Sequence, residues 1–299
     1  MTQMDNESVV IESQVVEMDA TGWQLGDARS EWIDALEAGK VLYFPKLSFS
    51  LLEREHALLK PELLSADTRS ITLDPQGRLK GVQEDSTLQE TTREMIGRFR
   101  QQANELIHSL APAYRSMLQP GTTSYRPLQV ETRKQSWRAD DRRLHVDAFA
   151  GKPNHGKRIL RVFSNINPAG VPRVWRVGEP FETVARRFLP RMKPYSRLEA
   201  WWLRATYKTK PVRSEYDHLM LQLHDCMKLD LDYQQTASQV TCPFAAGSTW
   251  VCFSDQTSHA AMSGQYMLEQ TFNLPASALY RVESSPLSIL SKLTGRALV

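Results

Sequence analysis

The stretch RRLHVDAFAGKPNHGKRILRVFSNINP, residues 142–168, decides how this chain is read. His145 and Asp147 stand two apart in β-branched, aromatic sequence. In an extended strand, residues i and i+2 project from one face, so an imidazole and a carboxylate are presented side by side. Such a pair is either part of a metal centre or two polar residues on the wet side of a sheet, with His145 bonded to Asp147. Beyond a Gly/Lys/Pro/Asn loop that carries His155, the run ILRVFSNIN alternates. Ile159, Arg161, Phe163 and Asn165 then share a face.

Outward from this stretch, strand-like segments continue on both sides: SYRPLQVETRK, GSTWVCFSD and QYMLEQTFNLP. Between them, residues of about 179–190 and 212–228 are helical in pattern. The N-terminal part differs in texture. Residues 1–20 are edge-like or frayed. A helix opening at Asp27 is stopped by Gly39, and the short apolar strand KVLYFPKL follows. Residues 50–60 are expected to be helical, and 66–86 to form a hairpin turning at Asp-Pro-Gln-Gly. From Ser86 the residues Leu88, Met95, Phe99, Ala103, Leu106 and Leu110 form one helical stripe, ended by Pro112. The expectation is an α+β chain with a mainly β core, a helical N-terminal layer packed on a β-sandwich or barrel.

Composition sets outer limits. Of 299 residues, 41% are hydrophobic, ample for a core, and a formal charge of +3 gives no argument for nucleic acid. Cys226, Cys242 and Cys252 lack metal-ligand spacing, and an odd number suits a reducing compartment better than a disulfide framework. The acidic MTQMDNESVVIESQVVEMD has no basic n-region, which argues against a secretory signal. No apolar run approaches the roughly 18 residues of a spanning helix. A soluble, intracellular protein is expected.

A 2-His-1-carboxylate site holds Fe(II) by one face and leaves three positions open. His145 and Asp147 would supply two ligands. Of the other histidines, His56 and His108 lie on helices, His218 and His224 in the helical insertion, and His155 in a loop. His259, at the end of a strand in CPFAAGSTWVCFSDQTSHAAMSG, is the best third ligand.

His145-x-Asp147, then a strand with an arginine, then His259, resembles the Fe(II)/2-oxoglutarate-dependent dioxygenases. The longer run 142–168, the Arg/Trp-rich middle and the strand leading to His259 resemble the Kdo (3-deoxy-D-manno-oct-2-ulosonic acid) hydroxylase family over most of the chain. The resemblance implies a double-stranded β-helix (jelly-roll, cupin-like) as a single domain over 1–299. Within it, 21–120 is the helical support layer and 121–280 the jelly-roll core. A basic helical insertion falls at about 179–235, and 281–299 is an amphipathic tail. It further implies hydroxylation of C3 of Kdo in a lipopolysaccharide or lipid A precursor. That reaction uses Fe(II), 2-oxoglutarate and O2, with ascorbate supportive, and gives Ko, succinate and CO2. The alternatives are a dioxygenase of another substrate, a nucleobase or small metabolite, and a non-catalytic jelly-roll module binding acidic glycans.

The sequence departs from the superfamily in one respect. Many members place an arginine shortly after the distal histidine to clamp 2-oxoglutarate, yet no Arg or Lys lies between His259 and Arg281. Arg161 is the first candidate clamp and Arg126 the second, since a guanidinium fits a carboxylate bidentately. Gln270 and Thr271 could add neutral hydrogen bonds. The opposing reading is an internal salt bridge of Arg161 with Asp147, Asp255 or Glu269.

Residues 186–213 carry nine Arg or Lys and one acid, Glu199, around Trp201 and Trp202. Three readings compete: a solvated helical face with core tryptophans, a site for the phosphates and carboxylates of a Kdo–lipid A-like acceptor with interfacial contact, and a single-stranded nucleic-acid surface. The family resemblance favours the second. Arg186, Arg187, Arg191, Lys193, Arg197, Trp201 and Trp202 are then candidate acceptor contacts, with His155 facing the sugar. The tail PLSILSKLTGRALV either docks on the domain or lies on an acidic membrane surface. The expected place is the cytoplasm, at the inner face of the inner membrane.

Overall fold

The computed structural model describes residues 13–26, 29–66, 68–132, 135–209 and 211–299. The expectations for residues 1–12, the helix start at Asp27 and Lys210 lie outside them. Chain order begins with β1 (Val15–Glu17), α1 (Ser30–Glu37), β2 (Val41–Phe44), β3 (Ile71–Leu73) and β4 (Leu79–Lys80). The long α2 (Ser86–Leu110) follows, then β5 (Gln119–Arg126), β6 (Arg158–Asn165) and β7 (Arg173–Val177). The insertion holds α3 (Phe181–Phe188), α4 (Arg197–Ala205), α5 (Glu215–Leu229) and α6 (Leu231–Thr236). The chain closes with β8 (Val240–Phe244), β9 (Thr249–Phe253), β10 (His259–Ser263), β11 (Met267–Leu274) and α7 (Pro286–Thr294).

Two sheets result. The large one runs β1-β2-β9-β6-β11-β5-β3-β4, and the small one β10-β7-β8. This is the expected mixed fold with a jelly-roll core. The first 120 residues give more than a helical layer, because β1 to β4 extend both edges of the large sheet. Residues 50–60 are 3₁₀ rather than α, over Glu53–Leu58. The hairpin turns as read, with Gly77 N–H donating to Asp74 O in the left-handed conformation glycine permits.

Three apolar clusters account for the layers. α2 starts where Asp85 accepts from the Leu88 N–H, and its stripe of Met95, Phe99, Ala103, Leu106 and Leu110 is fully buried. That stripe packs on Leu160, Val162, Leu268 and Phe272, the outward face of the large sheet. Between the sheets lies an aromatic plug: the Trp250 ring stacks on Phe244 at 4.4 Å and on Phe163 at 5.3 Å. The third cluster joins α3, α5 and the tail to Leu144 and Val146. The tail docks: Leu290 and Leu298 are buried, and Leu298 O accepts from Tyr216 N–H.

Phe99, edge-on to both Phe49 and Trp23, anchors the helical layer. Phe99→Ala should lower unfolding free energy by about 3–5 kcal/mol, measured by denaturant melts. Leu198→Ala, on an exposed face, should change it by less than about 0.5 kcal/mol.

Candidate metal centre and its cavities

Residues 142–149 were expected to form a strand, and the structure corrects this. Only one bridge forms: His145 and His259 exchange N–H···O bonds of 3.0 and 2.9 Å, and Asp147 N–H donates to Ser254 O at 2.8 Å. The alternation survives without a ladder, because Leu144 and Val146 are drawn into the helical cluster. Gln234 reinforces this by pairing with both backbone groups of Leu144. His145 and Asp147 are thereby turned the other way. His259 begins β10 rather than ending β9, because the chain changes sheets at the turn 254–258, which Thr257 Oγ1 ties to Gly39 O.

A nitrogen of each histidine and an oxygen of Asp147 lie within 4.8 Å of one another, all three residues buried. His145 Nε2 is 3.7 Å from Asp147 Oδ1. Nδ1 of His145 faces Arg143 O at 2.7 Å and Nδ1 of His259 faces Thr257 O at 2.8 Å. A carbonyl can only accept, so each Nδ1 carries the proton and each Nε2 keeps a lone pair. Burial pushes both imidazole pKa values down, and the neighbouring His259 adds to the shift at His145. Burial alone would raise the Asp147 carboxyl, but the Arg161 guanidinium beside it holds it well below its ordinary value. Two neutral imidazoles and an ionised carboxylate are the donor set that an octahedral Fe(II) site with open positions requires. The residues fit such a metal.

Around the centre runs a ladder of charge. Arg161 Nη2 is 3.1 Å from Asp147 Oδ2, and its Nη1 donates to Glu269 Oε1 at 2.7 Å. Arg126 Nε donates to Glu269 Oε2 at 2.9 Å. Register explains this. On β11, Glu269 lies two residues from Met267, opposite Arg126, and two from Thr271, opposite Arg161. The internal ion pairs weighed for Arg161 are therefore made with Asp147 and Glu269. Asp255 instead pairs with the fully buried Arg158 at 2.7 Å.

Two cavities meet at this ladder. An inner chamber is lined by the three candidate ligands with Arg126, Arg161, Arg173 and Trp175. Trp175 stacks on His259 at 5.0 Å, and its Nε1, like Arg161 Nε, is buried without a hydrogen-bond partner among the described residues. Asp141, Asp147 and Glu269 balance the three guanidiniums, so a divalent metal here would turn the chamber net positive, and it would then fit an anionic ligand such as a dicarboxylate. An outer groove of about 540 Å³ shares Arg126, Arg161 and Glu269 with the chamber and continues along β5, β6, β11 and the loop 149–157.

The candidate residues divide by location. Thr271 and His155 line the groove. Gln270 does not face either cavity: next to Glu269 on a period-two strand, it points to the helical layer and accepts from Thr123 Oγ1 at 2.5 Å. Arg186, Arg187, Arg191, Lys193, Arg197, Trp201 and Trp202 line neither cavity. Arg186, Arg187 and Arg191 pair with Glu182, Glu179 and Asp230. Trp201 and Trp202 are 65% and 52% exposed, so the reading of them as core is corrected. Sequence reasoning missed Arg173 and Trp175. Their signal was the alternation RVWRV in β7, whose Arg173, Trp175 and Val177 are buried on one face. His224 was left in the helical insertion, yet its ring lies 5.5 Å from His145.

Comparison with known proteins agrees with this geometry. Residues 22–297 match the family described as 3-deoxy-D-manno-oct-2-ulosonic acid (Kdo) hydroxylase. Among solved structures, the Kdo hydroxylase KdoO, a non-heme Fe(II) alpha-ketoglutarate-dependent dioxygenase in complex with cobalt(II), is similar at 43% identity and TM-score 0.92. The match covers 96% of this chain and 98% of that one. The same enzyme with alpha-ketoglutarate and Fe(III) gives 43% identity, TM-score 0.90 and coverage of 95% and 97%. With succinate and Fe(III) it gives 43%, 0.90, 96% and 98%. Curated protein sequences gave no match.

Calorimetric titration with Co(II) should show one saturable site, weakened at least ~100-fold in Asp147→Ala and in His259→Ala. The ladder also predicts acid sensitivity. Burial raises the Glu269 carboxyl, but Arg126 and Arg161 more than reverse this, so its folded pKa is depressed. Its stabilisation is present above the unfolded value of about 4.3 and is lost as pH falls below it. Metal-free Glu269→Gln should lose less stability than wild type between pH 6 and 3, read as the denaturant midpoint.

Proposed function

The chain belongs to the Kdo hydroxylase family, and from that membership we propose that it hydroxylates C3 of Kdo in a lipopolysaccharide inner-core or lipid A precursor, giving Ko, succinate and CO2. The observation that carries this reading is the convergence of two neutral imidazoles and one ionised carboxylate beside an arginine-lined chamber. Fe(II) bound with 2-oxoglutarate and O2 supplies the oxidising power for attack on an unactivated C–H bond.

The protein's own residues hold and orient. His145, Asp147 and His259 would ligate the metal through atoms that second partners already fix. Arg161, with Arg126, would take the far carboxylate of 2-oxoglutarate. Glu269 carries one negative charge between two guanidiniums, so the trio remains net positive toward the chamber. Arg173 extends that field from the small sheet. Gln270, on the other face, has no part in this reading, and Thr271 is assigned to the groove.

The basic segment supports contact with phosphates and an acidic membrane surface. α4 presents Leu198, Trp201 and Trp202 to solvent, with Lys208 Nζ 4.9 Å from the Trp202 ring. Exposed aromatics among cations are the composition of an interfacial helix. No helix among the described residues is long and apolar enough to cross a membrane. We place the enzyme in the cytoplasm, peripherally at the inner face of the inner membrane, as a single domain over 1–299.

With Kdo–lipid A, 2-oxoglutarate, Fe(II) and ascorbate, mass spectrometry should show a +16 Da product and stoichiometric succinate, both abolished by chelator. Arg161→Lys should raise the KM for 2-oxoglutarate at least ~10-fold while Co(II) still binds. In vesicle sedimentation, Trp201→Ala/Trp202→Ala should reduce binding to phosphatidylglycerol-containing vesicles. Undiminished binding would remove α4 from the membrane reading.

A further inference from the structure

We propose that the outer groove is the subsite for the acceptor's sugar acid, with Lys152 and Lys157 gripping its carboxylate. The inference deepens the activity proposed above and rests on it. The groove's volume, about 540 Å³, falls within the roughly 300–1,000 Å³ of small-molecule sites. Four cationic side chains line it against one carboxylate, Glu269. That carboxylate is already shared by Arg126 and Arg161. Among the described residues lining the groove, Lys152 and Lys157 therefore have no counter-ion of their own, though Lys152 also borders a small cavity with Asp147 and Asp217, and Lys157 Nζ donates to the neutral amide oxygen of Gln119 at 3.2 Å. Both ammonium groups are exposed and hydrated, so an incoming carboxylate can pair with them without breaking an internal ion pair.

The remaining lining suits a polyol. Ser124, Thr271 and Asn273 offer hydroxyls and an amide from neighbouring strands. Phe149, 44% exposed, lines the groove with its ring 5.9 Å from the Arg161 guanidinium, giving an apolar ring on which the C–H face of a sugar can rest. Arg161 lines both cavities and is 3.1 Å from Asp147 Oδ2. A sugar in the groove thus lies against the wall of the metal centre.

The loop that carries the lysines is held rigidly. Asn154 N–H and His155 N–H both donate to Asp217 Oδ1, at 2.8 and 3.1 Å. His155 is held at φ 53°, a left-handed conformation that is costly outside glycine. Such strain persists only where surrounding contacts impose it, and it clusters at ligand-binding sites. A pinned turn between Lys152 and Lys157 fixes their backbones before the ligand arrives, which lowers the entropic cost of binding.

The test uses the full chain with Fe(II) and 2-oxoglutarate, and Kdo–lipid A as acceptor. Lys152→Ala/Lys157→Ala should raise the acceptor KM at least ~10-fold and flatten its dependence on salt. Lys152→Arg/Lys157→Arg should restore most of the loss. Affinities for Co(II) and 2-oxoglutarate should match wild type, which establishes that the variant is folded and its inner chamber intact. Asn273→Trp, which fills the groove floor, should also block the acceptor while 2-oxoglutarate still binds. A +16 Da product formed with unchanged acceptor KM in the double alanine variant would overturn the groove assignment alone. No +16 Da product from wild type would overturn the activity reading and this one with it.

Discussion

Glu269 sits on an inner strand of the large sheet, diagonally between two arginines on the strands either side. Much of the interior is organised around that buried carboxylate. One guanidinium would leave it half-satisfied; two leave it satisfied and the cluster positive. Arg161 then passes charge on to Asp147. A buried charge that loses its partner costs about 3–5 kcal/mol, so none of the four can be removed as an isolated event. The cluster holds Asp147 ionised without a metal.

The space between the two sheets is accordingly divided. One end is filled by the buried Phe163, Trp175, Phe244 and Trp250 rings, of which Phe163 and Trp175 also wall the chamber. The other end is polar and open. The candidate ligands lie between, with Trp175 stacked on His259 as the boundary. On the far side of the large sheet, α2 supplies the apolar stripe that buries that face. The helical insertion does the same for the ligand segment, gripping Leu144 and Val146 so that the residues between and after them face inward.

How much of this could be read from sequence depends on whether the signal was local. The His145–Asp147 pair and the α2 stripe are periodic features of short windows, and both were legible. His259 was legible by elimination. The absence of a strand at 142–149 was not, because the segment meets β10 at a single bridge while Leu144 and Val146 pack on helices, and helix packing leaves the same alternation as a sheet. Arg173 and Trp175 were hidden for another reason. An arginine in a short strand says nothing of which face is buried until the second sheet is in place. Gln270 was misplaced by one residue of phase, the smallest error a strand allows and one that reverses the face.

The pinned turn at Asn154 and His155 has a consequence for how such enzymes diversify. Asp217 caps its own helix with Ser214 through Oδ2 while Oδ1 holds the groove loop. One carboxylate therefore couples a helix start to a loop some sixty residues earlier in the chain. The loop cannot be exchanged between relatives as an independent cassette. A graft that carries new lysine positions but meets a different residue at 217 would lose the acceptor of the two hydrogen bonds that hold its shape. In this chain a change in the loop thus has to be matched by a change at the head of α5.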